Sequence, residues 1–175
     1  MDEKEKQKKP SIDKIQEEIK QRSERMVNLF NTIIDTDISD FPVPPFTKWL
    51  NGKIKSATRG IVEIELDVRP EMANPTKLLH GGMQSAILDD IIGMTCATLG
   101  YEGFLITIDF HIDFLGKARV GDKVRAKAEI VREGKRIVHA KADLFNSDGK
   151  KIATASSNLL QTSYKPDYVK AIDKS

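Results

Sequence analysis

Two adjacent acids, Asp89 and Asp90, interrupt a stretch over residues 81–99 whose other side chains are mostly small or apolar, among them Met83, Ile87, Leu88, Ile91, Ile92 and Met94. Such a stretch reads as a helix apolar around most of its circumference, and therefore buried, with Gly100 as its C-terminal cap residue. Carboxylates are rarely buried without a partner, so this pair marks a place where a negative charge is used or where a structural partner waits. General-base or nucleophilic chemistry needs such a group. Pairing with a strand arginine, or exposure at a subunit junction, would account for one of the two without chemistry.

The chain reaches this helix through His80-Gly81-Gly82. Glycines there let a ligand approach the backbone, and the free N–H groups of the first turn, with the positive end of the helix dipole, favour negative charge. A glycine pair alone also fits a plain tight turn; the acid downstream on the same helix sharpens it. Eight residues of helix put Gly81 and Asp89 about 12 Å apart along the axis. A base or nucleophile and an oxyanion donor must both lie within about 3 Å of the reacting group. One chain therefore cannot supply both to one site. If both act, the helix start of one subunit meets the acid of another, the working unit is a dimer with two equivalent sites, and monomers are inactive.

The elements that hold these residues follow from patterning. Residues 1–10 form a polar tail, and Ser11 is the expected cap of an amphipathic helix bearing Ile12, Ile15, Ile19, Met26, Leu29, Phe30, Ile33 and Ile34. Acids and bases alternate on its polar face, which favours packing on its own domain or a sister subunit over a membrane surface. Residues 35–48 hold three prolines and read as a connector closed to helix and interior strand. A hairpin follows: a strand near Lys53–Thr58, a turn at Arg59-Gly60, and a strand with Val62, Ile64, Leu66 and Val68 on its buried face. Beyond the helix, Phe104, Ile106, Ile108, Phe110, Ile112 and Phe114 share one face of a long strand, opposed by Thr107, Asp109, His111 and Asp113. Three more strands, around 124–130, 138–144 and 152–162, are joined by short turns and are therefore antiparallel neighbours. The expected architecture is α+β, a curved six-stranded antiparallel sheet wrapped around the central helix, with an extra N-terminal helix.

Composition excludes several classes. The 175 residues suit one domain, and 28 bases against 26 acids leave a net charge of +2, too balanced for an obligate nucleic-acid binder. Runs without a charge, such as 78–88 and 91–101, fall well short of the ~20 apolar residues of a membrane span. The opening MDEKEKQKKP resembles neither a signal peptide nor a transit peptide, so the expected location is the cytoplasm. Cys96, the one cysteine, forms no intrachain disulfide or thiolate cluster and is expected to be a small core residue. Asp109, His111 and Asp113 invite a metal or triad reading, but no further strong ligand is evident, and polar residues on a sheet face explain them better. No metal is expected.

The run Asn74-Pro75-Thr76-Lys77-Leu78-Leu79-His80-Gly81-Gly82, then Leu88-Asp89 and Gly93, the long strand, and residues 116–121 with Val120-Gly121-Asp122 resemble the hotdog-fold acyl-CoA thioesterases of the phenylacetate-degradation (PaaI-like) type, in the 4-hydroxybenzoyl-CoA thioesterase superfamily. The resemblance covers about residues 50–163. The expected division of the chain is a polar tail, amphipathic helix and proline-rich connector over 1–48, a hotdog thioesterase domain over 49–165, and a C-terminal tail over 166–175. The resemblance implies hydrolysis of an acyl-CoA to free acid and CoA, without a cofactor, by an obligate homodimer that can pair again into a tetramer. On this resemblance Gly81 N–H holds the thioester oxygen. Asp89 of the other subunit is general base or nucleophile, Asn74 helps place substrate or water, and His80 orients the loop. Thr107 positions the attacking water. Strict alternation turns Thr107 away from Ile106 and Ile108, so it reaches the site only if that face meets the partner subunit or a bulge re-aims it. Asp90, about 100° further round the helix, is expected to meet a structural partner.

CoA carries phosphates, and residues 117–136 hold eight bases against three acids. Arg119, Lys135 and Arg136, near turns, are the candidates for its nucleotide end, although alternating bases also fit the solvated face of a strand. The acyl pocket is expected between the helix and the connector with Phe41, Phe46 and Trp49, and aromatic, medium-chain and long-chain groups all remain open. Two other readings keep the same ligand: a non-catalytic acyl-CoA-binding regulator, and a dehydratase or hydratase with His80 as base.

Overall fold

In a computed structural model of the chain, which describes residues 11–38, 41 and 43–174, the six expected strands form one antiparallel sheet. The polar tail of residues 1–10 lies outside the described residues. The strands are β1 (Lys53–Thr58), β2 (Ile61–Asp67), β3 (Leu105–Phe114), β4 (Lys123–Glu133), β5 (Ile137–Phe145) and β6 (Lys151–Gln161). They lie in the order β1-β2-β4-β5-β6-β3, which leaves β3 on an outer edge. Helices α1 (Ile12–Thr32) and α2 (Pro45–Leu50) precede the sheet, α3 (Gly81–Ala97) connects β2 to β3, and α4 (Asp167–Ile172) follows β6. Because β2 and β3 lie on opposite sides of the sheet, α3 must cross it. Ile87, Leu88, Ile91 and Ile92 pack into the same core as Val62, Ile64 and Leu144. Ala126, Ala128, Ala140 and Ala142, also buried there, keep that face of the central strands shallow. Each Ile or Leu so buried contributes roughly 1.5–3 kcal/mol. This is the expected hotdog architecture.

Four details depart from the sequence expectation, each for a local reason. First, α3 is not covered on all sides: Gly82, Asp89 and Gly93 are exposed, because the sheet wraps only part of its circumference. Second, the proline-rich connector contains a helix. Proline is compatible with the first helical position, where its missing N–H is not needed, and Pro45 stands there. Third, residues 166–175 are not merely a tail, since α4 buries Val169 and Ile172.

The fourth departure lies in β3. Its pairing with β6 shifts between Thr107 and Asp109, leaving Ile108 as the extra residue of a bulge. A bulge reverses which side chains face inward. Before it Leu105 is buried, and after it Phe110 and Ile112 are half-buried. Ile106 and Ile108, expected on one face with Phe110 and Ile112, are 41% and 52% exposed.

Helix α1 is capped by Ser11, whose Oγ accepts from Lys14 N–H at 3.3 Å. It joins the common core through Met26, Phe30 and Ile33. Ser23 Oγ donates to Thr98 O at 2.6 Å, Arg22 Nε pairs with Asp173 Oδ1 at 2.8 Å, and Arg25 Nη1 donates to Ile172 O at 3.1 Å. The helix is thus fixed to the end of α3 and to α4. A Cβ on Gly100 would stand 2.1 Å from Ile19 O, so the residue expected only as a helix cap also permits this crossing, at φ +81°. Among the described residues, no helix is long and apolar enough to cross a membrane.

Candidate active site

The loop ahead of α3 is organised by Asn74. Its Oδ1 accepts from Thr76 N–H at 2.9 Å, Thr76 Oγ1 at 2.7 Å and Leu78 N–H at 3.1 Å. These bonds close the turn that delivers His80 to the helix and leave the Asn74 amide N–H groups without a bond to any described residue. His80 is the N-cap: its Nδ1 accepts from Gly82 N–H at 2.9 Å, while its carbonyl takes Met83 and Gln84 N–H. A nitrogen that accepts carries no proton, so in the neutral ring the proton sits on Nε2. The cap therefore uses Gly82 N–H and leaves Gly81 N–H with no hydrogen bond to a described residue. The Phe114 ring lies beside it, 3.3 Å from where a Gly81 Cβ would stand.

Two turns along α3 lies the first acid. Thr107 Oγ1 donates to Asp89 Oδ1 at 3.0 Å, across from the β3 bulge that turned Thr107 toward the helix. One carboxylate oxygen is thereby oriented and the other is left for a further proton donor. Asp89 is exposed in the single chain, not buried as its apolar neighbours suggested.

Asp90 has the opposite environment. Burial pushes its carboxyl up to about 6, opposed by the bond donated from Thr47 Oγ1 at 2.7 Å and reinforced by the charge of Asp89. Thr47, on α2, is the structural partner, and no sequence signal pointed to it. Between pH 4 and 6 the folded chain binds a proton there that the unfolded chain does not, so stability falls as pH rises through that window. Asp90→Asn keeps an oxygen for Thr47 and removes the charge. It is expected to raise stability at pH 7.5 by up to about 3 kcal/mol, with the gain gone below pH 4. Thermal melts at both pH values check this; an equal gain at each would point to packing instead.

Both acids open into a cavity of about 400 Å³. Its polar end is made by Asp89, Asp90, Thr47 and Thr107, and its remaining wall is almost wholly apolar, drawn from α1, the connector, α3, β3 and α4. Phe41 lines it as expected, but Phe46 and Trp49 do not. These two rings stack on each other at 6.0 Å with Arg69 over Trp49, and both are more than 40% exposed. The contribution of α1 and α4 was missed, because helical periodicity shows that a face is covered without showing what covers it.

The candidate basic residues do not form one patch on a chain. Arg119 bridges to Leu78 beside the start of α3. Lys135 and Arg136 sit in the β4–β5 turn, at the end where Glu133 meets Arg59 and Tyr101 beside the end of α3. The length of β4, about 33 Å, separates the two groups. Among the described residues, no three His, Cys, Asp or Glu side chains are grouped to hold a metal. Asp109 binds Asn158, which meets His139 at 3.0 Å, while His111 and Asp113 pair weakly at 3.5 Å on the surface. Cys96 is buried, its thiol pushed up to about 12 by burial, and behaves as a core residue.

A family model described as the thioesterase superfamily matches residues 76–153. Human acyl-coenzyme A thioesterase 13 is 32% identical over 107 residues, which are 58% of this chain and 75% of the human protein. The PaaI protein of the Escherichia coli phenylacetic acid degradation operon shares the fold at a TM-score of 0.70 and 19% identity, over 82% of this chain and 98% of that one. A Streptococcus mutans protein bound to acetyl-CoA does so at a TM-score of 0.65 and 19% identity, over 72% and 98%.

Proposed function

The chain belongs to the thioesterase superfamily and is a thioester hydrolase, and from that premise we propose that its substrate is an acyl-CoA, split into free acid and CoA at a site shared by two subunits. The observation that carries the reading is the Asp89–Thr107 pair at the polar end of an apolar cavity, a place where a thioester sits with its alkyl group in apolar surroundings. Acyl-CoA thioesterase activity in the human relative and acetyl-CoA bound to a protein of the same fold support the choice of thiol.

The carbonyl oxygen lies at Gly81 N–H of one subunit, where the helix dipole adds to the stabilisation of the oxyanion. Asp89 of the other subunit, oriented by Thr107, takes a proton from water. The resulting hydroxide attacks the carbonyl carbon, and collapse of the tetrahedral intermediate expels the CoA thiolate, which is then protonated. Asn74, through its free amide N–H groups, helps place substrate or water. His80 acts through the cap that fixes the Gly81 peptide.

Sharing follows from distance: Gly81 and Asp89 of one chain are too far apart to serve one carbonyl. The surface for a second copy is β3, a ten-residue edge strand flanked by exposed Phe104, Ile106, Ile108, Phe114 and Leu115. A long apolar edge of this kind invites pairing with another chain. We assign the nucleotide phosphates of CoA to Arg119, which stands beside the α3 N-terminus; Lys135 and Arg136 belong to the other end of the protomer.

The test is a panel of acyl-CoA esters with a free-thiol reagent. Release of thiol is expected. Binding without release would make the protein a regulator, and a modified acyl group still joined to CoA would make it a dehydratase or hydratase. Geometry disfavours the last reading, because His80 Nδ1 is committed to Gly82 N–H and Nε2 bears the proton, leaving no free basic nitrogen.

A further inference from the structure

We propose that α1 and α4, both outside the segment matched by the thioesterase family model, form the specificity-setting wall of the acyl pocket, with Met26 and Leu29 limiting the length of a straight alkyl chain. The proposal rests on the acyl-CoA reading for the identity of the ligand, and on the cavity for the rest. From Asp89 the cavity runs past Gly93 and Ala97, successive turns on one side of α3, over about 12 Å. Met26 and Leu29, about one and two turns of α1 beyond the Ser23 that bonds to the end of α3, line it together with Ile172 of α4. The polar groups are gathered at the Asp89 end, so the cavity is polar at one end and hydrocarbon-like along the rest. That gradient matches a thioester followed by an unbranched apolar chain. At about 400 Å³ the cavity has room for an alkyl chain and not merely for an acetyl group.

The wall is held in place rather than laid loosely on the sheet. Ser23 bonds to the end of α3, Arg22 and Arg25 bond to α4, and Gly100 lets α1 approach closely enough to close the pocket. Met26 is almost fully buried and Leu29 is 40% exposed, so the two sample the inner wall and its rim.

The test uses the full chain and two readouts. The first is kcat/KM for straight-chain CoA esters from two to sixteen carbons. The second is binding of non-hydrolysable S-dodecyl-CoA and S-ethyl-CoA thioethers. Each buried methylene strengthens binding roughly fourfold, so the dodecyl thioether is expected to bind at least about 100-fold more tightly than the ethyl one. Met26→Trp fills space for about two methylenes and is expected to lower that ratio roughly tenfold and move the preferred ester to shorter chains. Leu29→Trp, at a partly exposed position that tolerates bulk, is expected to shift both in the same direction if Met26→Trp does not fold. Equal binding of the two thioethers, or an unmoved ratio in the folded variants, would overturn the proposal. Chain-length-dependent binding without hydrolysis of any ester would sustain this wall and defeat the acyl-CoA hydrolase reading instead.

Discussion

Asp89→Asn is expected to lower kcat for an acyl-CoA by about 10²- to 10⁴-fold, the usual contribution of a general base, while KM, melting temperature and oligomeric state stay close to wild type. Asn retains an oxygen that accepts from Thr107 Oγ1, so the local geometry survives, but it cannot take a proton from water. Asp89 is exposed in the single chain and none of the ion pairs among the described residues involves it, so little stability depends on its charge. The comparison is steady-state thiol release alongside a thermal melt and a sedimentation run. Wild-type turnover in a folded Asp89→Asn protein would remove this carboxylate from the reaction. A single turnover in ¹⁸O-water tests the nucleophilic role: label in the Asp89 side chain would show attack by the carboxylate through a mixed anhydride that water opens at the Asp89 carbonyl carbon, whereas label in the product acid fits attack of water on the acyl carbon of the thioester or of the anhydride.

The second large effect concerns the oxyanion donor. Gly81→Pro removes one N–H from a position where proline is favoured in a helix, and the residue before it is already suited: His80 has φ −61° and ψ 140°, the extended conformation that proline requires of its neighbour. The Phe114 ring must move by a few tenths of an ångström to admit the new Cβ. Loss of a single oxyanion donor is expected to lower kcat about 10²- to 10³-fold. Co-expression of the two variants then tests the shared site. Half of randomly assorted dimers pair a Gly81→Pro chain with an Asp89→Asn chain, and each such dimer contains one site with both defects and one with neither. About a quarter of wild-type activity is therefore expected from two inactive parents. A mixture as inactive as its parents would place both groups in one subunit and contradict the 12 Å separation along α3.

How much of this was legible beforehand depended on the range of the interaction involved. The hairpin of β1 and β2, the positions of β3 to β6 and the Ser11 cap of α1 are local, set by alternation, turn residues and one side-chain bond, and the structure reproduces them. The approach of His80 to Gly81 was also local, although a glycine pair alone fits a plain tight turn and only the acid downstream on the same helix sharpened it. Pro45 was misread because proline's effect depends on its place in a helix, which opens at that residue.

What the sequence by itself determined was the fold class and the ~12 Å between Gly81 and Asp89, because helix rise is the same in every chain, while the Asn74–Gly82 run with Asp89 carried the resemblance that implied thioester chemistry. What only tertiary structure decided was which way Thr107 points, which acid is buried, and what encloses the cavity beside them. A single extra residue at Ile108 reverses the inward face of β3 and cannot be seen in the alternation of one strand, since it exists only relative to β6. Asp89 and Asp90 are identical and adjacent; Thr107 and Thr47, 60 residues apart, give them different surroundings. The cavity wall joins α1 to α4 from opposite ends of the chain, held by Arg22 and Arg25, and contacts between segments so distant in sequence are fixed by packing rather than by local pattern.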